Sequence, residues 1–243
     1  MVPLDEGIDT LAASDKTDMD IQSDPAVVLP PYVHLGYTNV TLERAIQNFK
    51  DWAFTNYPIG QRFGEWECDY PDWAEIYTAF ANFVEQTDYR QWNLTETENV
   101  LYIIARDNED EILIDEIAKQ KECLFLLAEA AIKCDERDAM WQIASRLGEI
   151  EDSPEDVETY LLEFLKDRHE YVRRRALLAL AQIGSTQTEA WAEIAWNTGD
   201  EYQRIAALHA LHLVSSSRLD EFITLAKQDG RKYLVKNAMD LST

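Results

Sequence analysis

Residues 160–184 read YLLEFLKDRHEYVRRRALLALAQIG, and the spacing of their apolar side chains decides the fold. Leu161, Leu162, Phe164 and Leu165 make one apolar set; Val172, Ala176, Leu177, Ala179, Leu180 and Ile183 make another. Within each set the residues recur three and four apart, the spacing of one helical face. A polar break at Asp167–Glu170 separates them, so the stretch predicts two short amphipathic helices. Two such helices cannot enclose a core alone and need copies on either side.

The copies are present. A shift of 31 residues carries Tyr171 onto Tyr202 and Tyr233, Ala176 onto Ala207 and Ala238, and Leu177 onto Leu208 and Met239. Leu180 falls on Leu211 and Ile183 on Val214. In the first helix Leu161, Ala192 and Ile223 correspond, as do Phe164, Ala195 and Ala226. Upstream, Ile143, Leu147 and Ile150 align with Ala176, Leu180 and Ile183 at a spacing of 33. A helix–turn–helix unit with a fixed period of this length is the signature of an α-solenoid. The expected class is an all-α, α-α superhelix of four to five helical pairs, preceded by an irregular helical N-terminal part.

Charge bounds the function. The chain of 243 residues holds 22 Lys plus Arg against 46 Asp plus Glu, a formal net charge of −24. Phosphates would be repelled over most of such a surface, which argues against nucleic acid and for a basic partner or simple solubility. Residues 95–152 carry 16 acids and 6 bases, whereas residues 153–243 carry 14 and 11, so the end of the repeats is nearly balanced while the front and middle of the chain are strongly acidic. Cys68, Cys123 and Cys134 have no metal-ligand spacing and suit free thiols in a reducing compartment. The N-terminus lacks the basic flank and apolar stretch of a signal peptide, and no apolar run spans a bilayer; the expectation is a cytoplasmic protein.

Three parts are expected: an acidic, loosely attached tail over 1–40; an acidic and aromatic helical part over 41–94; and repeats over 95–243. Thr41 caps a helix that buries Leu42, Ile46, Phe49, Trp52 and Ala53 and stops at Pro58 and Gly60. A second helix runs from Pro71 to about Glu85 over Trp73, Ile76, Tyr77, Phe80 and Phe83. The TETE sequence opening Thr95–Arg106 resembles a capping box, and Ser153-Pro154 is a helix start.

The segment DRHEYVRRRALLALAQIG resembles the second half of a HEAT repeat, through Asp167, Val172, Arg173, Ala176, Ala179, Leu180 and Gly184. That resemblance implies the two-layer solenoid and a ladder of Asp–Arg pairs. The following units depart from it: Gln203 replaces the Val beside Arg204, and Val235 stands at the Arg position. The front half, from GEWECDYPDW to AMWQIASRLG, resembles small bacterial HEAT-like proteins, some of which are immunity proteins against toxins. This second resemblance implies a stoichiometric inhibitor of a basic toxin domain.

Enzyme signatures are poor. HEYVR at His169–Arg173 begins like HExxH but lacks the second histidine, and His209 and His212 lack a third ligand. No cofactor, metal or catalytic residue is expected. Two groups are candidates for partner binding. Trp66, Glu67, Asp69, Tyr70 and Asp72 combine aromatic anchors with carboxylates, although the rings could equally be core. Arg173, Arg174 and Arg204, with Arg175, fall at the starts of inner helices, where they either line a concave face or pair internally. The expected function is therefore a non-catalytic, protein-binding solenoid with a basic protein partner. The alternatives are a phycobilin-lyase-like HEAT protein or a nucleic-acid binder using Arg173–Arg175.

Overall fold

Apolar spacing sets which face each helix buries, and side-chain caps at Thr41, Asn93 and Asp200 fix where three of the helices start. A computed structural model describes residues 40–242; the tail expected over 1–40 lies outside them but for its last residue. The chain divides into two compact units, one ending at Phe83 and the other beginning at Val84.

In the first unit α1 (Leu42–Asn56) opens on Thr41, whose hydroxyl accepts from the Arg44 amide at 3.3 Å. Leu42, Ala45, Ile46, Phe49 and Ala53 form its buried stripe, while Trp52 is only half-buried. A 3-10 turn at Trp66–Asp69 leads into α2 (Trp73–Gln86). This helix starts two residues beyond the expected Pro71, because the first carbonyl to accept from within it is that of Asp72. Ile76, Ala79 and Phe80 are its core; Trp73, Tyr77 and Phe83 lie at the margin, half-buried.

The second unit is a run of paired helices: α3 (Leu94–Ile104), α4 (Ile112–Ala118), α5 (Lys121–Lys133), α6 (Arg137–Leu147), α7 (Pro154–Phe164) and α8 (Glu170–Gln182). It continues with α9 (Thr188–Asn197), α10 (Glu201–Leu213), α11 (Leu219–Asp229) and α12 (Lys232–Asp240). The starts of α8, α10 and α12 lie 31 residues apart, and α6 precedes α8 by 33, the periods read from the sequence. Among the described residues there is no strand. Helices α6, α8, α10 and α12 pack each on the next, so the second helices form a continuous layer; each first helix leans on its own partner. The all-α superhelix is thus formed, with five helical pairs.

Small residues permit the close layer. Ala176, Ala179, Ala207 and Ala210 are buried on the second helices, as are Leu177, Leu180, Leu208 and Leu211. The tightest approach is at Gly148, the residue ending α6. A Cβ there would lie 2.8 Å from the Ala179 Cα and 2.4 Å from the Gln182 Oε1, so only glycine fits. After α8, Gly184 turns the chain with φ +67°; one period on, Ser215 takes the same left-handed conformation at φ 51°. Ile183, expected in the core, ends α8 as its half-buried cap.

Polar bonds join successive pairs at the same sequence interval. Arg106 donates to Glu136 at 2.6 Å, Lys121 to Asp152 at 2.5 Å, Arg146 to Asp115 at 2.7 Å and Glu111 at 2.8 Å, and Arg175 to Ser145 at 2.9 Å. Further along, Gln203 donates to the Glu170 carbonyl at 2.9 Å and the Leu234 amide to Glu201 at 3.1 Å. Each bond spans between 30 and 35 residues, one repeat length. Two caps differ from expectation. At α3 the capping box is Asn93 with Glu96, not the Thr95 group, because the Asn93 side chain reaches the Glu96 amide at 3.0 Å while Glu96 returns to the Asn93 amide at 2.8 Å. Ser153 precedes α7 but makes no side-chain cap; its hydroxyl instead lies 3.3 Å from the Lys121 ammonium.

Candidate functional site

The aromatic group singled out in the sequence is a packed cluster. Phe49 on α1 has ring centroids of Tyr70, Trp73, Trp52 and Trp66 around it at 5.0, 5.5, 5.8 and 5.9 Å. These are the tilted and edge-to-face separations that aromatic quadrupoles favour. Trp66 and Tyr70 are accordingly buried, at 7 % and 4 % exposure, and so is Glu67 at 6 %. The Glu67 carbonyl accepts from the Trp73 indole at 2.9 Å, tying the 3-10 turn to α2. Burial, with Asp72 and Glu75 nearby, pushes the Tyr70 phenol up to about 12. Asp69 and Asp72 remain exposed, and Asp69 accepts the Tyr57 hydroxyl, which raises the Tyr57 pKa. Of the five expected contact residues here, two face solvent and three support them from below.

Sequence reasoning passed over Phe54, Ile59 and Phe63, which are exposed at 77, 90 and 75 %. A signal existed for Phe54. The α1 stripe at 42, 45, 46, 49 and 53 leaves position 54 off the buried face.

The arginines are committed internally. Arg173 donates to the Asp167 and Arg168 carbonyls, each at 2.8 Å. Arg174 lies 3.1 Å from Glu170 and between two rings, 4.5 Å from Tyr171 and 4.9 Å from Tyr202. Because those tyrosines are one period apart, this cation–π sandwich joins α8 to α10. Arg175 holds Ser145 and lies 5.5 Å from the Trp141 ring. Arg204 donates to the Trp196 carbonyl at 3.0 Å and pairs with Asp229. The Asp–Arg ladder therefore exists, but it runs between units: Arg137 pairs with Asp167 at 3.1 Å, and Arg204 with Asp229. Hydrogen bonds from Arg231, and the Arg204 charge, hold the Asp229 carboxyl at about 2, below the usual carboxylate range.

Carboxylates are displayed where the first helix begins in the last four of the five pairs. Glu122 on α5, Glu155 and Asp156 on α7, Glu189 on α9, and Asp220 and Glu221 on α11 all lie in the first turn and are exposed. Each complements the positive end of its own helix dipole, and together they place exposed acid at four successive repeats. A cavity of about 310 Å³ lies at the start of the second unit, lined by Glu85, Asp88, Tyr89, Trp92, Ile117 and Cys123. Burial pushes the Cys123 thiol up to about 12, which leaves it unreactive. His209 lies 2.8 Å from the Asn237 amide oxygen, and burial lowers its pKa. Among the described residues no group of three or more His, Cys, Asp or Glu could hold a metal ion, and no helix is long and apolar enough to cross a membrane.

Paired helices in register, joined by polar bonds at one repeat length, define an α-α superhelix. Residues 124–212 and, overlapping them, 158–238 match the family of HEAT repeats, and this part of the chain is a HEAT-repeat array. No curated protein and no solved structure matches the chain. HEAT repeats usually mediate protein binding and are typically non-catalytic, so the array is read as a protein-interaction solenoid.

Proposed function

We propose that this chain is a non-catalytic immunity protein, neutralising a cognate basic toxin domain by stoichiometric binding in the bacterial cytoplasm. The observation that carries the reading is the exposed acid at the start of every first helix from α5 to α11. The net charge of −24 gives the same sign at long range. A basic partner would be drawn in by that field, and the acidic, aromatic part over 41–94 is proposed as the surface it contacts. In this reading Asp69 and Asp72 touch the partner. Trp66, Glu67 and Tyr70 stiffen the surface beneath them, and Arg173, Arg174 and Arg204 keep the inner layer rigid. Because those guanidiniums already have partners, we favour neither the nucleic-acid nor the phycobilin-lyase reading.

The test is to sequence the neighbouring gene, co-express any basic toxin domain it encodes with this chain, and follow association of the purified pair by stopped flow. Growth should be rescued. The association rate should fall about tenfold or more between roughly 0.05 and 0.5 M salt, since charges are screened beyond ~8 Å at physiological ionic strength. Absence of rescue, or a salt-independent association rate, overturns the reading.

A further inference from the structure

We propose that the Tyr57–Gly64 loop, with Phe54 beside it, is a docking knob that inserts apolar side chains into a cleft of the partner protein. The inference rests on the basic-partner reading above and assigns the residues that hold that partner once it has arrived.

The loop is built to be rigid. The Gln61 amide donates to the Pro58 carbonyl at 2.9 Å, closing a tight turn with Gly60 at φ +90° in its third position. A side chain there would be strained, whereas Pro58 fixes the entry into the turn. Ile59 is thereby held at the tip. Arg62 donates to the Tyr57 carbonyl at 2.9 Å and lies 4.6 Å from the Trp66 ring centroid, pulling the far limb of the loop onto the near one. Tyr57 in turn packs on Trp52 at 5.4 Å and Trp66 at 5.6 Å. Both ends of the loop are anchored in the aromatic cluster.

On this fixed backbone Ile59 and Phe63, with Phe54 at the end of α1, stand 75 % or more exposed. Single exposed apolar residues are ordinary; three large ones within ten residues of an ordered segment mark an interaction surface. Preorganisation removes the ordering cost that a floppy loop would bear on binding.

Charge names the occupant. Residues 51–72 hold five carboxylates and one cation, and that cation, Arg62, is turned inward. Asp51, Glu65 and Asp72 form no ion pair among the described residues. The complementary surface is apolar at its centre and cationic at its rim. A second copy of the chain, itself at −24, is repelled, as is an anionic lipid surface. The occupant is a basic protein with an apolar cleft.

A photoreactive benzophenone amino acid is placed at position 59, and separately at position 72, of the full chain in the cells that make it. The cross-linked protein is identified, purified and measured kinetically against unmodified chain. Adducts from both positions to one cationic protein are expected. Phe54→Ala, Ile59→Ala and Phe63→Ala should each raise its dissociation rate about tenfold while leaving the association rate within about twofold. Asp69→Lys with Asp72→Lys should do the reverse, slowing association. Leu94→Ala, at a site 74 % exposed outside the loop, should change neither rate. An adduct from position 72 alone, or unchanged dissociation in the apolar variants, overturns the knob and leaves the basic-partner reading standing. Adducts only to a second copy, to lipid or to an acidic protein, or to nothing from either position, overturn both.

Discussion

The two units cover apolar helix faces with opposite materials. Around Phe49 the N-terminal unit spends its largest side chains, with four rings at centroid distances of 5.0 to 5.9 Å. The second helices of the repeat unit are rich in buried alanine, and α6 meets α8 at Gly148 and Ala179, where a methyl group has no room unless Ala179 shifts. The difference follows from repetition. A helix with a near-copy beside it meets a surface of known shape and can approach closely on small residues. A helix without one faces irregular space, which only large rings fill. Regular spacing then comes from the alanines, and a raised, rigid surface loop from the aromatics.

Three substitutions probe that contrast, in falling order of effect. Phe49→Ala removes the ring on which the cluster converges and should destabilise the N-terminal unit by about 3–5 kcal/mol. Urea denaturation followed by tryptophan fluorescence would register it, and a loss below about 1 kcal/mol would mean that the rings repack freely. Gly148→Ala should cost about 1–3 kcal/mol, since Ala179 backbone atoms must shift to admit the methyl group. Elsewhere in helical backbone the same change stabilises, so the sign of the shift in a thermal melt decides whether close approach governs this joint. Ser215→Gly restores the residue used one period earlier at Gly184 and should raise stability by up to about 1 kcal/mol, because the left-handed backbone no longer opposes a Cβ. An unchanged melting temperature would show that the serine pays no conformational penalty.

Much of the repeat architecture was legible because its signal is periodic. Tyr171, Tyr202 and Tyr233 mark equivalent places in α8, α10 and α12, and the 33-residue step back to α6 was visible as well. What sequence could not supply was the third dimension of the irregular part. Trp66 and Tyr70, flanked by acids in a loop, look like surface residues until Phe49, seventeen and twenty-one positions earlier, is seen packed against them. Likewise the Arg173–Arg175 run reads as a basic stripe. Nothing in its pattern says that Arg173 takes up carbonyls left open just after α7, or that Arg174 slots between tyrosines of adjacent repeats.

The last joint of the array has a consequence for how the molecule opens. In α12, Met239, in register with the buried Leu177 and Leu208, is 59 % exposed. Fraying should begin there. Yet this joint is crossed by Arg204 to Asp229, by Arg231 to the Gly199 carbonyl at 3.0 Å, by the Leu234 amide to Glu201 and by His209 to Asn237. The joint between α10 and α12 is therefore held by a latch of polar bonds alongside the burial of Leu234 and Ala238. Because several of these bonds are charge-assisted, the amides of α12 should exchange with solvent faster as ionic strength rises.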